Sequence, residues 1–391
     1  MEKAEYVIVG GGMTADSAVK GIREVDQDSS ILMISSEKNP PYNRPPLSKA
    51  LWKGKSIESI WRGNSLQNVD LQLNSTVTAI NLDAKTVVND QGQIYQYNKL
   101  LLATGGSPKK LPFGGEDVIY YRTLDDYEKL KKITAPGKKI AVIGSGFIGS
   151  EMAAALATND IDVSLFDIGA GVGWSIFPEK MVEFLNGYYV SRNVNVFPNQ
   201  KIVDIQKTGN VYIIRTAENN DYSFDVIVAG IGINPNIKLA DQSGLEINDG
   251  IVVDKYLRTS HPDVYAAGDV ANFYNPLLKK RVRVEHADNA NIMGKQAGRN
   301  MTGADEPYDY LPLFYSDLFD LGYEAVGELN SQYQIVEDWQ DPFQKGVLYY
   351  LQDQHVKGVL LWNVWDKVDE ARQVIGDASR VSAKDLIKRI I

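Results

Sequence analysis

Two βαβ units, each folded about a glycine-rich turn, and a late aromatic-rich stretch predict an α/β chain with two doubly wound domains and a third, α+β domain. The first unit runs from Tyr6-Val-Ile-Val9 through a glycine cluster and an amphipathic stretch, Thr14 to Val25, to the apolar run Ile31-Leu-Met-Ile34. The same order recurs from Lys139 to Asp167: Ile140-Ala-Val-Ile143, a glycine turn, an alanine-rich helix from Glu151 to Thr158, and Val163-Ser-Leu-Phe166. Between Leu71 and Leu102 apolar and polar residues alternate around the turn signal Asn89-Asp-Gln-Gly92, which predicts antiparallel strands inserted into the first domain. Thr123-Leu-Asp-Asp126 sets a hydroxyl cap and an acid ahead of Tyr127–Lys132, a helix start beside a boundary near Ile119. From Pro307 the alternating runs Leu313–Tyr315, Gly346–Leu351 and Gly358–Trp362 lead into a charged helical tail. The expected spans are 1–118 with 236–306, then 119–235, then 307–391.

Composition narrows the chemistry. The 391 residues contain no cysteine, so disulfides, thiolate metal sites, cysteine-ligated iron–sulfur clusters and redox thiol pairs are excluded. Only His261, His286 and His355 supply imidazole, too few for a three-histidine metal site plus a separate base, and no metal is expected. The net charge of −9 argues against nucleic acid, whose phosphates need a concentrated basic face. The acidic, briefly apolar start resembles neither a secretory signal nor a transit peptide, which makes the cytoplasm the expected compartment. Glycines and Glu151 interrupt the longest apolar stretch, Ile140–Ala157, so no membrane span is expected. Without an export signal, the glycosylation triplets at Asn74 and Asn300 are chance matches.

The glycine turns carry the clearest chemistry. Gly10-Gly-Gly12-Met-Thr-Ala15 follows a strand and opens a helix. In such a G-x-G-x-x-G/A turn Gly10 permits the bend, Gly12 lets a pyrophosphate reach bare backbone, and Ala15 keeps the helix close to its strand. Glu37 ends the second strand about 20 residues on, where a carboxylate accepts ribose hydroxyls. Gly144-Ser-Gly146-Phe-Ile-Gly149 repeats the pattern, with Asp167 in the acidic place. No lysine or arginine in Ile168–Gly173 can receive a 2′-phosphate, so NADH is expected in preference to NADPH.

Further motifs accompany the cradles: Pro41-Tyr-Asn-Arg-Pro-Pro-Leu-Ser-Lys49, Leu102-Ala-Thr-Gly-Gly-Ser-Pro108, Ile231-Gly-Ile-Asn-Pro-Asn236 and Val264-Tyr-Ala-Ala-Gly-Asp269. Together they resemble the FAD- and NAD(P)H-dependent pyridine nucleotide oxidoreductases, and Arg44-Pro-Pro-Leu-Ser-Lys49 resembles the ferredoxin-reductase branch. Val284-Glu-His286, Phe314-Tyr-Ser-Asp317, Gly322–Gly327 and Gly358–Asn363 are similar to the apoptosis-inducing-factor-like reductases. The chain departs from that group in lacking an organelle-targeting start and the long insertion of the last domain, and in having Tyr315 where tryptophan is expected.

The resemblance implies a glutathione-reductase-like pair of Rossmann-like domains, binding FAD and NADH, plus the C-terminal domain. It implies that Gly10, Gly12, Ala15 and Glu37 hold the ADP half of FAD, with Ala103, Thr104 and Gly105 beside them and Arg44 and Lys49 toward the flavin. Gly268 and Asp269 would meet the ribityl or its phosphate, with an adjoining helix N-terminus aimed at the same charge. Gly144, Gly146, Gly149, Asp167, Gly230 and Gly232 belong to the NADH side, where Phe147 gates the nicotinamide and Glu285, His286 and Glu324 line it. Phe314 and Tyr315 stack near the isoalloxazine. Lys49 pairs with Glu151 and faces flavin N5, and His286 positions groups and stabilises charge; these three form the catalytic set.

Without thiols, the acceptor implied is a one-electron carrier such as ferredoxin or rubredoxin, or a small oxidant. The basic run Lys279-Lys-Arg-Val-Arg283 offers an acidic carrier a docking point, and a solvated hairpin is its other reading. The alternative function is a slow NADH-responsive protein, in which reduced flavin and NAD⁺ stay together as a charge-transfer complex and partner association is the output. Quinone reduction, with Ser382–Ile391 as an amphipathic anchor, is a third reading. A homodimer is compatible with all three.

Overall fold

The computed structural model describes residues 2–63, 68–377 and 379–391. The chain forms two compact units: Met1–Arg44, Ser56–Ser107 and Asn234–Pro312 in unit one, and Pro45–Lys55, Pro108–Ile233 and Leu313–Ile391 in unit two.

In unit one the strand Glu2–Val9 runs parallel to Ile31–Ile34 on one side and to Ile94–Leu102 on the other. Val69–Gln72 extends the sheet in parallel beyond Ile31–Ile34, and Val264–Ala266 adds a parallel strand beside Ile94–Leu102. The region expected to be wholly antiparallel is therefore mixed. Val77–Asn81 and Thr86–Asn89 are antiparallel, and Ile94–Gln96 continues that hairpin on one edge, where Val264–Ala266 takes over at Leu100–Leu102, while Tyr95–Leu102 pairs in parallel with Glu2–Val9 on the other. Leu100, Leu101 and Leu102 are fully buried, as a strand covered on both faces must be, and this unbroken apolar run marks the change of partner. The helix Met13–Arg23 lies against Ala287–Met301 so closely that a Cβ on Gly21, Gly294 or Gly298 would sit 2.0, 2.4 or 2.1 Å from a carbonyl oxygen of its partner.

In unit two five parallel strands follow the order Val194–Phe197, Asp162–Phe166, Lys139–Ile143, Val226–Ala229, Val118–Tyr120. The helix expected from Glu151 begins earlier, at Phe147, because Gly146 occupies its N-cap. Thr123 and Asp126 form the expected capping box ahead of Leu124–Ile133. The C-terminal segment builds an antiparallel sheet in the order Leu313–Leu318, Leu321–Gly327, His355–Trp362, Lys345–Gln352, Gln334–Asp341, with Val368–Gly376 packed on it. The tail is not a free anchor. Its one helical turn, Ala383–Leu386, buries Leu386 and the Lys388 amide donates to Asp338. Among the described residues no helix is long and apolar enough to cross a membrane.

The strip Pro45–Lys55 belongs to unit two although its flanks belong to unit one. The Tyr121 hydroxyl donates to the Leu47 carbonyl at 2.5 Å and accepts from Trp52 Nε1 at 3.2 Å. Asn159 Nδ2 donates to the Trp52 carbonyl, and the Trp52 ring meets Tyr127 edge-on. Burial raises the Tyr121 pKa far above the usual tyrosine range, so the group is a permanent neutral donor.

Candidate active site

The cradle in unit one is a strand end turned by Gly10 into a helix. Gly10 takes a φ of 122°, and a Cβ there would lie 2.2 Å from the Ala103 carbonyl oxygen, so only glycine allows this approach. At Gly12 a Cβ would meet nothing within 4 Å, and no side chain caps the helix it opens. Free first-turn amides facing open space fit a pyrophosphate. Ala103 is tied to Val9 by a backbone hydrogen bond, while Asn236 brackets Thr104 and Gly105 through both its backbone and its side-chain amide.

The Glu37 carboxylate is held by Arg44 and, at 2.7 Å, by the Tyr42 hydroxyl. Burial alone would lower the Arg44 pKa, but Tyr42, Glu37 and Asp269 outweigh it and raise the value, so the guanidinium stays charged. Asp269 lies in the 3₁₀ turn Gly268–Val270, which runs directly into the strand Ala271–Asn275. The helix that adjoins Asp269 is not the next element along the chain but Ala287–Met301, which packs on this turn and has as its N-cap His286, within reach of the Asp269 charge. Gly268 has a φ of 77° and donates its N–H to the Met293 sulfur. Burial pushes the His286 pKa down to about 4, only partly opposed by Asp269, so the ring is neutral at pH 7. Glu285 accepts from Arg283.

Arg281 donates to the carbonyls of Val253 and Asn272, and Arg283 to the Asp269 carbonyl, Asp249 and Glu285. Arg283 is largely buried and braces the hairpin from inside, whereas Lys279, Lys280 and Arg281 remain exposed.

In unit two Gly144 takes a φ of 92°, with Gly230 packed against it, and Gly146 faces open space at an uncapped helix start. The turn fits a second pyrophosphate on the same grounds. Gly149 is the tightest point: a Cβ would fall 1.7 Å from the Gly144 carbonyl oxygen. Asp167 is buried, and its carboxylate accepts the Ser145 and Gly169 amides at 2.6 and 2.7 Å. Gly232, with a φ of 94°, accepts at its carbonyl from the Lys109 amide.

Glu151 forms the polar centre of unit two. Its side chain is 5% exposed; Oε1 lies 2.8 Å from the Lys49 ammonium and accepts the Ser316 hydroxyl at 2.6 Å, while Oε2 accepts the Ser48 hydroxyl at 2.6 Å. Removing one partner from such a buried pair typically costs about 3–5 kcal/mol, because the other charge is left uncompensated. Lys49 also pairs with Asp317 at 3.3 Å and lies under the Tyr315 ring, 4.5 Å from its centroid. Phe147 stands edge-on to Phe314 at 5.5 Å and close to Tyr323. Glu324 Oε2 is buried without a hydrogen-bond partner, and burial with the nearby Asp366 raises its pKa. Such a group awaits a donor.

Tyr42, Ser48, Ser316 and Asp317 escaped residue-level reading, although all stand inside the quoted motifs. A serine among prolines or aromatics carries no pattern of its own until the fold brings a carboxylate to it.

A family model for pyridine nucleotide-disulphide oxidoreductases matches residues 4–294, and one for the mitochondrion-associated C-terminal region of apoptosis-inducing factor matches 297–341 and 333–377. The chain is 35% identical over 419 residues to "Apoptosis-inducing factor 1, mitochondrial" of Dictyostelium discoideum, covering 96% of this chain and 79% of that one. It is 34% identical over 337 residues to the ferredoxin–NAD(+) reductase component of the anthranilate 1,2-dioxygenase system of Burkholderia cepacia, covering 84% and 82%. Among solved structures, a chain of the covalent putidaredoxin reductase–putidaredoxin complex superposes with a TM-score of 0.90 at 28% identity, over 98% of this chain and 95% of that one. With two phosphate cradles and no sulfur pair, the chain belongs to the pyridine nucleotide-disulphide oxidoreductase family, as an FAD-dependent NAD(P)H oxidoreductase of the ferredoxin-reductase and apoptosis-inducing-factor type.

Proposed function

We propose that the protein carries electrons from NADH through FAD to a one-electron carrier protein of the ferredoxin or rubredoxin class. The observation that carries this reading is a pair of open glycine cradles in a chain without cysteine, so no thiol can stand between the flavin and its acceptor. When bound, FAD accepts a hydride's two electrons together and releases them singly. The domain spans of this reading are 1–118 with 236–306 for FAD, 119–235 for NADH and 307–391 for the C-terminal domain.

The chain's own residues bind and orient. Gly10, Gly12 and Ala15 receive the FAD pyrophosphate, Glu37 the ribose, and Arg44 and Asp269 the region toward the flavin. Gly144, Gly146 and Gly149 receive the NADH pyrophosphate, and Asp167 selects the unphosphorylated ribose. The orphaned Glu324 oxygen accepts from the nicotinamide carboxamide. Lys49, its charge fixed by Glu151, faces the flavin and stabilises negative charge there. Neutral His286 donates or accepts a hydrogen bond without adding charge.

The C-terminal match to apoptosis-inducing factor favours a second reading, slow turnover with NADH-dependent association. Rapid mixing separates the two. Fast flavin reduction by NADH followed by fast reoxidation with an oxidised ferredoxin of matched reduction potential supports the first. A long-wavelength absorbance band that persists in air, with a change in sedimentation, replaces it by the second.

A further inference from the structure

Oxidation of NADH by one-electron acceptors leaves a proton to be disposed of: NADH + 2 A(ox) gives NAD⁺ + H⁺ + 2 A(red). The hydrogen that arrives with the electron pair must leave the site as H⁺ once the two electrons have departed singly.

Beside the Glu151 centre lies a small cavity of about 30 Å³, partly open to solvent, lined in part by Ser48, Lys49, Lys53, Glu151, Asn159 and Asp317. Its walls are mixed, with Trp52 and Phe319 among the apolar ones, but it has room for a water and offers more than one polar partner, which suits it to hold one. Lys49 separates two unlike carboxylates. Glu151 is 5% exposed and fully engaged, whereas Asp317 is 42% exposed and 3.3 Å from the same ammonium. The Lys49 nitrogen is buried between the two acids. The charged and titratable groups about it are Glu151, Asp317, the Tyr315 ring and, across the cavity, Lys53.

We propose that Asp317 and the water-bearing cavity beside Lys49 form the exit by which this proton reaches solvent. Lys49 first gives one of its N–H protons to Asp317, directly or through cavity water, and the neutral amine so formed then takes the proton that leaves the reacting ring, which restores the ammonium. Glu151 holds the nitrogen in place, and Asp317 returns its proton to bulk water. Asp317 is thus a positioning and transfer residue that acts through Lys49. The inference rests on the placement of Lys49 beside the flavin proposed above.

The test uses FAD-loaded wild type and Asp317→Asn, each reduced anaerobically with one equivalent of NADH and mixed with ferricyanide in weak buffer. A pH-indicator dye reports the proton and flavin absorbance reports the electrons. In the wild type the two signals coincide. In Asp317→Asn proton release slows by about tenfold or more, oxidation slows with it, and added imidazole or azide restores both, as does Asp317→Glu. Identical traces in the two proteins, or a slowing that neither small molecule relieves, overturn the exit. Lys49→Ala is the separate control. Unchanged flavin reduction by NADH in that variant refutes the placement of Lys49 itself, whereas altered reduction together with normal Asp317→Asn traces refutes only the exit.

Discussion

In unit one the third small residue of the phosphate turn is Ala15, whose methyl group is fully buried; in unit two it is Gly149, where a methyl group would fall 1.7 Å from the Gly144 carbonyl oxygen. The close approach has not disappeared from unit one but has moved. There the helix is pressed against a second helix at Gly21, Gly294 and Gly298, while in unit two it is pressed against its own turn. The acids differ in the same sense. Glu37 is held by the long side chains of Arg44 and Tyr42, which can rearrange, and Asp167 chiefly by the backbone amides of Ser145 and Gly169, which cannot. One phosphate fingerprint is therefore built in two ways: adaptable around Glu37 and rigid around Asp167.

Gly149→Ala breaks the comparison most sharply. It should cost about 3 kcal/mol or more, since backbone must shift, whereas Ala15→Gly should cost about 1 kcal/mol; thermal unfolding of the FAD-loaded proteins measures both. Equal losses would show that the two helices are seated alike. Next in size is Asp167→Asn. An amide cannot accept from both Ser145 and Gly169 as the carboxylate does, so about 1–3 kcal/mol of stability should go, and discrimination between NADH and NADPH should fall about tenfold or more. Glu37→Gln should be milder in denaturant melts, and a matching loss there would erase the distinction between adaptable and rigid acids.

The smallest effect concerns unit one alone. With His286 held at about 4 in the folded chain and near 6.5 when unfolded, only the unfolded chain takes up the proton between those values. Stability is then full above pH 6.5 and declines as pH falls toward 4, by about 1 kcal/mol at pH 6 relative to pH 8. Melting curves of wild type and His286→Gln across that range should differ in slope, the variant being flatter. Parallel curves would place the imidazole in water.

Both cradles and the acids behind them were legible because strand, glycine turn and helix are local patterns with one physical purpose. The third domain was legible for the same reason, from alternation in Gly346–Leu351 and Gly358–Trp362. What sequence could not show is where polar side chains end up. The run Lys279–Arg283 read equally as a docking point and as a solvated hairpin because charge in a sequence carries no direction, and the fold turns Arg283 inward while Arg281 stays exposed. The helix N-terminus expected beside Asp269 comes from Ala287–Met301, two strands further along the chain, a pairing that local sequence cannot show. Ser48 and Ser316 lie far apart along the chain and meet only at Glu151.

The strip Pro45–Lys55 bears on how the molecule can be dissected. A fragment excised as 119–235 would keep the Tyr121 hydroxyl and the Glu151 carboxylate but lose Leu47, Ser48, Lys49 and Ser316, which answer them. Its newly bared surface would be an acid and a phenol without counterparts, inviting aggregation or collapse. Independent folding of that segment demands that the strip and the C-terminal sheet be supplied with it, so cut sites are set by hydrogen-bond partnership and not by order along the chain.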